Sequence, residues 1–164
     1  MQKPVLDIPF SWFERLLEGI CVVAILAFFG LIAWKYPQLP ASMPQHFGPS
    51  GQPDAWGDKS AVLILCLIVL ALYGMLTMLS KYPHVFNYPF ALTEHNIEEQ
   101  YRLARTLIST LKLEIISIFV FTGWKMIQVS LGNADGLGLY FLPAFLGLLF
   151  STIFIYLYHA SKAK

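Results

Sequence analysis

Charge is what this sequence has least of. Asp, Glu, Lys and Arg make up 13% of it, about half the share carried by a soluble domain. The deficit is concentrated in long uncharged stretches, which excludes an ordinary soluble fold and points to a polytopic membrane protein. An excess of either sign is missing too. The formal net charge is +1, so no basic surface awaits a nucleic acid. Cysteine is nearly absent: Cys21 and Cys66 both lie inside apolar runs. That excludes a disulfide framework and thiolate metal spacing, and leaves two small buried hydrophobes. The glycines are followed by Asp58, Lys59 and Ser60, without the spacing of a phosphate loop. No HExxH-like pair and no serine elbow suggest hydrolysis, and no cofactor is implied.

What is present is four apolar runs, over residues 16–34, 61–79, 107–131 and 137–158. Each approaches or exceeds the roughly 20 residues that cross about 30 Å of hydrocarbon as a helix. Lipid leaves a strand's backbone unpaired, so helices are the physical choice. The first run follows Lys3 and Arg15 like a signal peptide, but it is long for one and Pro40 spoils the cleavage site; it is read as a retained span. Four spans put both termini and the middle loop on one side. That side holds Lys3, Arg15, Lys81, Arg102, Arg105, Lys112, Lys162 and Lys164, against Lys35, Lys59 and Lys125 on the other. The positive-inside rule then places both termini in the cytoplasm. Trp12, Phe13, Trp34, Tyr36, Tyr82, Tyr156 and Tyr158 sit near span ends, where amphipathic rings favour the headgroup zone.

Along the chain, an interfacial helix is expected to begin after Pro9 or at Ser11 and run into the first span, leaving Glu18 to snorkel at the inner headgroups. Pro37 and Pro40 stop that helix. In the cytoplasmic segment, about residues 81–106, two prolines keep "YPHVFNYPF" extended. Thr93 reads as an N-cap with Glu94, Glu98 and Glu99 after it. Ile97, Tyr101, Ala104, Leu107, Ile108 and Leu111 then make an apolar face. Glu98 and Arg102 are ordered for an i,i+4 pair. This amphipathic helix is expected to lead unbroken into the third span. There Glu114 and Lys125 are some 16 Å apart along the axis, too far to pair. Each is read as a boundary residue reaching water, although an ionisable group inside a span is also a candidate functional site. Pro143 and Gly147 permit a kink or close approach in the fourth span.

The stretch "HFGPSGQPDAWGDKS", residues 46–60, is the richest in chemistry. Pro49 and Gly51 suit a tight turn. Asp58 or Ser60 can cap the second span, and Trp56 can settle at the interface. As a site, the loop offers His46, Phe47, Asp54, Trp56 and Asp58 as a recognition surface for a peptide ligand or a partner membrane protein. A cation held by His46, Asp54 and Asp58 is a weaker reading, since a fourth protein ligand and a metal motif are both lacking. The competing account is architectural: turns, a cap and an anchor closing the mouth of a helix bundle.

The run "LPASMPQHFGPSGQPDAWGDKS" resembles the signature of a bacterial membrane-protein family known as domain of unknown function 1648, at Pro40, Pro44, His46, Phe47, Gly51, Pro53, Asp54, Trp56, Gly57, Lys59 and Ser60. "FNYPFALTEHNIEEQYRLARTLISTLK" is similar to its second segment, at Asn87, Tyr88, Pro89, Thr93, Asn96, Gln100, Tyr101 and Arg102. The resemblance implies a relation to the N-terminal part of SdpI-type immunity proteins, which protect a bacterium from a secreted peptide toxin; it brings no catalytic residues. The expectation is therefore an all-α integral membrane protein, one domain over residues 1–164. It has four transmembrane helices, both termini inside, a Gly/Pro-rich outer loop and a cytoplasmic amphipathic helix leading into the third span. Its place is the bacterial inner membrane and its role recognition or immunity, without enzymatic activity. The alternatives are an accessory subunit of a larger membrane complex, or an ion- or proton-coupled transporter component working through Glu114.

Overall fold

A computed structural model describes residues 3–164. Helix α1 (Trp12–Lys35) starts where a capping box fixes it. Ser11 Oγ accepts from Glu14 N–H, while the Glu14 carboxylate accepts from Ser11 N–H at 2.7 Å. Pro37 ends it in a single 3-10 turn, Tyr36–Gln38. Two short strands follow, β1 (Ser42–Phe47) and β2 (Pro53–Asp58). Helices α2 (Ala61–Ser80), α3 (Ile97–Ser130) and α4 (Phe141–Lys162) complete the chain. The four helices are long and apolar enough to cross a membrane, as the four apolar runs required.

The central element is α3, which packs against each of the other three helices and against β1. Its 34 residues extend for about 51 Å, longer than a bilayer's hydrocarbon is thick, and its first turns pack against the end of α4 and the N-terminal segment. Gly123 is where α1 and α2 close on it. A Cβ there would lie 2.3 Å from Phe28 Cζ and 2.9 Å from Leu65 Cδ2. Around this crossing lies the apolar core, with Ile25, Phe28 and Ile32 from α1, Val62, Leu65 and Val69 from α2, and Ile116, Met126 and Ile127 from α3. Helix α4 lies antiparallel along α3, with Phe141 stacked on Phe121 at 5.1 Å and the Gln100 amide donating to Ala160 C=O at 2.8 Å.

One end of the bundle carries the strands and the turn between α3 and α4, joined by Leu137 N–H donating to Gly51 C=O at 2.7 Å. The other end gathers the N-terminal segment, residues 81–96 and the end of α4. There Tyr101 OH donates to Pro4 C=O, and Lys3 to Phe86 C=O.

Three local expectations need correction. Thr93 is not the N-cap of α3: Asn96 Oδ1 accepts the Thr93 amide at 2.8 Å, folding residues 93–96 into a turn, and the helix begins at Ile97 with Asn96 at the cap position. The outer loop is not a series of turns alone but an antiparallel hairpin. The apolar stripe from Ile97 to Leu111 is not the buried face throughout. Tyr101 and Ala104 are buried, but so are Gln100, Arg105, Ser109 and Lys112, while Leu107, Ile108 and Leu111 stay half-exposed. In lipid the logic of burial inverts, because a charge needs the interior and an apolar side chain does not.

Candidate functional site

The hairpin is built around a tight connection in which Gly48 N–H donates to Gln52 C=O at 2.9 Å and Gly51 N–H to Gly48 C=O at 2.8 Å. Gly51 sits at φ +77°, a conformation that favours glycine. The ladder pairs Ser42 with Asp58, Met43 with Gly57, Pro44 with Trp56, His46 with Ala55 and Phe47 with Pro53. Gln45 is skipped, the extra residue of a bulge. Its side chain lies over Gly57, where a Cβ would meet Gln45 Nε2 at 2.0 Å. Pro44 and Pro53 are tolerated because a two-stranded sheet has only edges.

This scaffold is anchored at its base and at its tip. Met43 is fully buried in the apolar core, and Lys59 N–H donates to Ala41 C=O at 3.1 Å. At the tip the backbone of Gly51 touches Gly136 and Gly138 so closely that a Cβ on Gly51 would stand 2.5 Å from Gly138 O. The candidate residues ride on that frame. His46 Nδ1 and Asp54 Oδ1 are 2.6 Å apart, both exposed. Trp56 is 54% exposed, a large aromatic that the fold does not use. Phe47 is half-buried against the core. Asp58 is turned elsewhere: its Oδ1 accepts Ser60 N–H at 2.8 Å, and that bond holds its carboxyl below the usual range. His46, Phe47, Asp54 and Trp56 thus share the hairpin, while Asp58 secures its junction with α2. No group of three side chains suited to a metal ion occurs among the described residues.

Glu114 is not a boundary residue. Thr152 Oγ1 donates to its Oε1 at 2.5 Å, and Thr152 is about 16 Å of helix from either end of α4. That depth is beyond snorkelling. Glu114 Oε2 is buried with no hydrogen-bond partner among the described residues.

The bundle also holds a buried ionic network that sequence reasoning missed. Arg105 on α3 donates to Glu14 on α1 from Nε at 2.8 Å, and its other nitrogens reach the carbonyls of Ile8 and Pro9 at 2.6 and 2.8 Å. Both partners of this pair are less than 6% exposed. Further along α3, Lys112 donates to Glu18 and to Thr77 Oγ1, and Tyr73 OH donates to Glu18. Glu18 is therefore engaged by Lys112 and Tyr73, with its side chain still 37% exposed. A signal for this was present. Glu14 and Glu18, Tyr73 and Thr77, and Arg105, Ser109 and Lys112 each recur at i,i+4 or i,i+7, making one polar stripe per helix.

The bundle has an apolar half bearing the hairpin and an ionic half at its other end. Residues 23–73, from the middle of α1 through the hairpin and most of α2, match the family described as Domain of unknown function (DUF1648). This segment is a DUF1648 domain. The second segment of resemblance, Asn87 to Arg102, lies beyond that match. The chain is also similar to an uncharacterized protein of Archaeoglobus fulgidus, 30% identical over 93 residues, covering 51% of this chain and 50% of the relative. The chain thus spans about half the length of the curated relative it matches. No solved structure matches it.

Proposed function

We propose that this chain is a non-enzymatic multi-pass protein of the bacterial cytoplasmic (inner) membrane, both termini inside, whose outer hairpin recognises a peptide or a membrane-protein partner. Its specific form is an immunity-type module answering a secreted peptide toxin. The observation that carries this reading is a hairpin anchored at base and tip that leaves the His46–Asp54 pair and Trp56 facing outward. A surface held rigid before contact loses little entropy on binding, and an exposed tryptophan is the side chain most often found at the centre of a recognition patch. The ion pair itself adds little stability, since exposed pairs contribute ~0–1 kcal/mol; its evident effect is to fix the imidazole. The excess of Lys and Arg at the opposite end supports an external hairpin.

In cells that depend on this protein for survival under a peptide toxin, His46→Ala, Asp54→Ala and Trp56→Ala are each expected to abolish protection. The amount of protein in the membrane fraction should stay unchanged. Full protection by all three variants removes the hairpin from the mechanism.

A further inference from the structure

The inner ends of α1, α2 and α3 enclose a cavity of about 520 Å³, lined by Glu14, Arg15, Glu18, Lys81 and Ser109 among others. Its charges do not cancel. Glu14 is matched by Arg105 and Glu18 by Lys112, so those four groups sum to zero. Arg15 and Lys81 remain, exposed at the mouth, and neither makes a salt bridge among the described residues. Arg15 is held there by its bonds to Phe10 C=O, at 2.8 and 3.2 Å, which leave it without a counter-charge. Ser109, 3% exposed, forms part of the cavity wall. A surplus of two positive charges at a part-desolvated concavity attracts an anion, and a serine hydroxyl on the wall is a donor such an anion can use.

The cavity's place selects the anion. Arg15 lies in the first turn of α1 and Lys81 caps the end of α2, level with Trp12 and Tyr82 at the ends of the spans. That is the depth of the lipid phosphate, and basic pockets between transmembrane helices are a recurrent seat for anionic headgroups. We infer that this cavity binds a phosphate ester, the headgroup of an anionic phospholipid, between Arg15 and Lys81 with Ser109 on its wall. The ion pairs behind it are then part of the site, because Arg105 and Lys112 keep the two carboxylates from repelling the phosphate. The inference is independent of the hairpin and of its ligand.

The test compares thermal unfolding of the purified full chain in nanodiscs of phosphatidylcholine with that in discs containing phosphatidylglycerol. Wild type is expected to melt several degrees higher with phosphatidylglycerol, as a ligand of the folded state requires. The double variant Arg15→Gln/Lys81→Gln should lose that rise. The double variant Lys162→Gln/Lys164→Gln removes the same charge at the same end of the molecule, outside the cavity, and should keep it. Equal melting in the two lipids, or equal loss in both double variants, overturns the site in favour of diffuse surface attraction. A third arm adds inorganic phosphate or glycerol 1-phosphate to the phosphatidylcholine discs. No rise is expected; a full rise there, lost in Arg15→Gln/Lys81→Gln, would overturn the lipid as the source and assign the cavity to a soluble phosphate ester.

Discussion

Arg105 shows what a single side chain can do in this setting. Its guanidinium donates to the Glu14 carboxylate on α1 and to two consecutive carbonyls of the segment before it, and its face covers the Phe10 ring at 4.4 Å. A lysine cannot make that fork. Removing either partner of such a buried pair leaves an uncompensated charge, at a cost of about 3–5 kcal/mol. Glu14→Ala and Arg105→Ala are therefore each expected to destabilise the protein by about that much in detergent unfolding. Glu14→Leu combined with Arg105→Met should recover a large part, because the apolar pair strands no charge. If the double variant were as unstable as the sum of the singles, the ion pair would not be the unit of stabilisation. Glu114 has the opposite character: one oxygen is bonded to Thr152 and the other has no partner among the described residues, at the middle of α3.

At the scale of elements, the clamp between the hairpin and the α3–α4 turn depends on bare backbone. A Cβ on Gly51 would meet Gly138 at 2.5 Å, and one on Gly136 would meet Gly51 O at 2.1 Å. Gly51→Ala adds a left-handed penalty of about 1–2 kcal/mol to that collision. The expected outcome is loss of the Leu137–Gly51 bond, read as faster amide exchange at Leu137 while the helix amides of α2 keep their protection. An unchanged Leu137 amide would show that the tip is not held there.

The helices were legible because their signals are one-dimensional. Apolar length gave the four spans, Pro37 the end of α1, and Ser11 its start. The Glu98–Arg102 pair formed as its spacing required, at 2.6 Å. The strands were not legible. They are six residues each, polar, carry Pro44 and Pro53, and lack a clean alternation because Gln45 bulges. His46 and Asp54 could be named as neighbours in a loop, but the 2.6 Å contact needed the register of the hairpin. Thr93 lost the cap to Asn96 through a side-chain competition that spacing does not settle.

For the whole molecule the governing fact is an inversion along the bundle axis, with an apolar core beneath the hairpin and ion pairs at the other end. The polar stripes on α1, α2 and α3 could be found separately in the sequence, but which stripe meets which is a property of the bundle. Its orientation in the membrane is open to a direct test. After Cys21 and Cys66 are replaced by alanine, His46→Cys should react with an impermeant maleimide added to intact cells. A cysteine in place of Ser161, at the other end, should react only after lysis. Labelling of position 46 solely from within would reverse the sidedness proposed above.

The separation of the ionic partners along the chain has a bearing on biogenesis. Glu14 and Arg105 are 91 residues apart, and Glu18 and Lys112 are 94. Synthesis runs from the N-terminus, so the ribosome delivers α1 with two acids long before either base exists. Until α3 emerges, those carboxylates must stay at the water interface or bind protons. Locking of the ionic half is therefore a late event in assembly, and a nascent chain stalled after α2 holds an incomplete electrostatic joint.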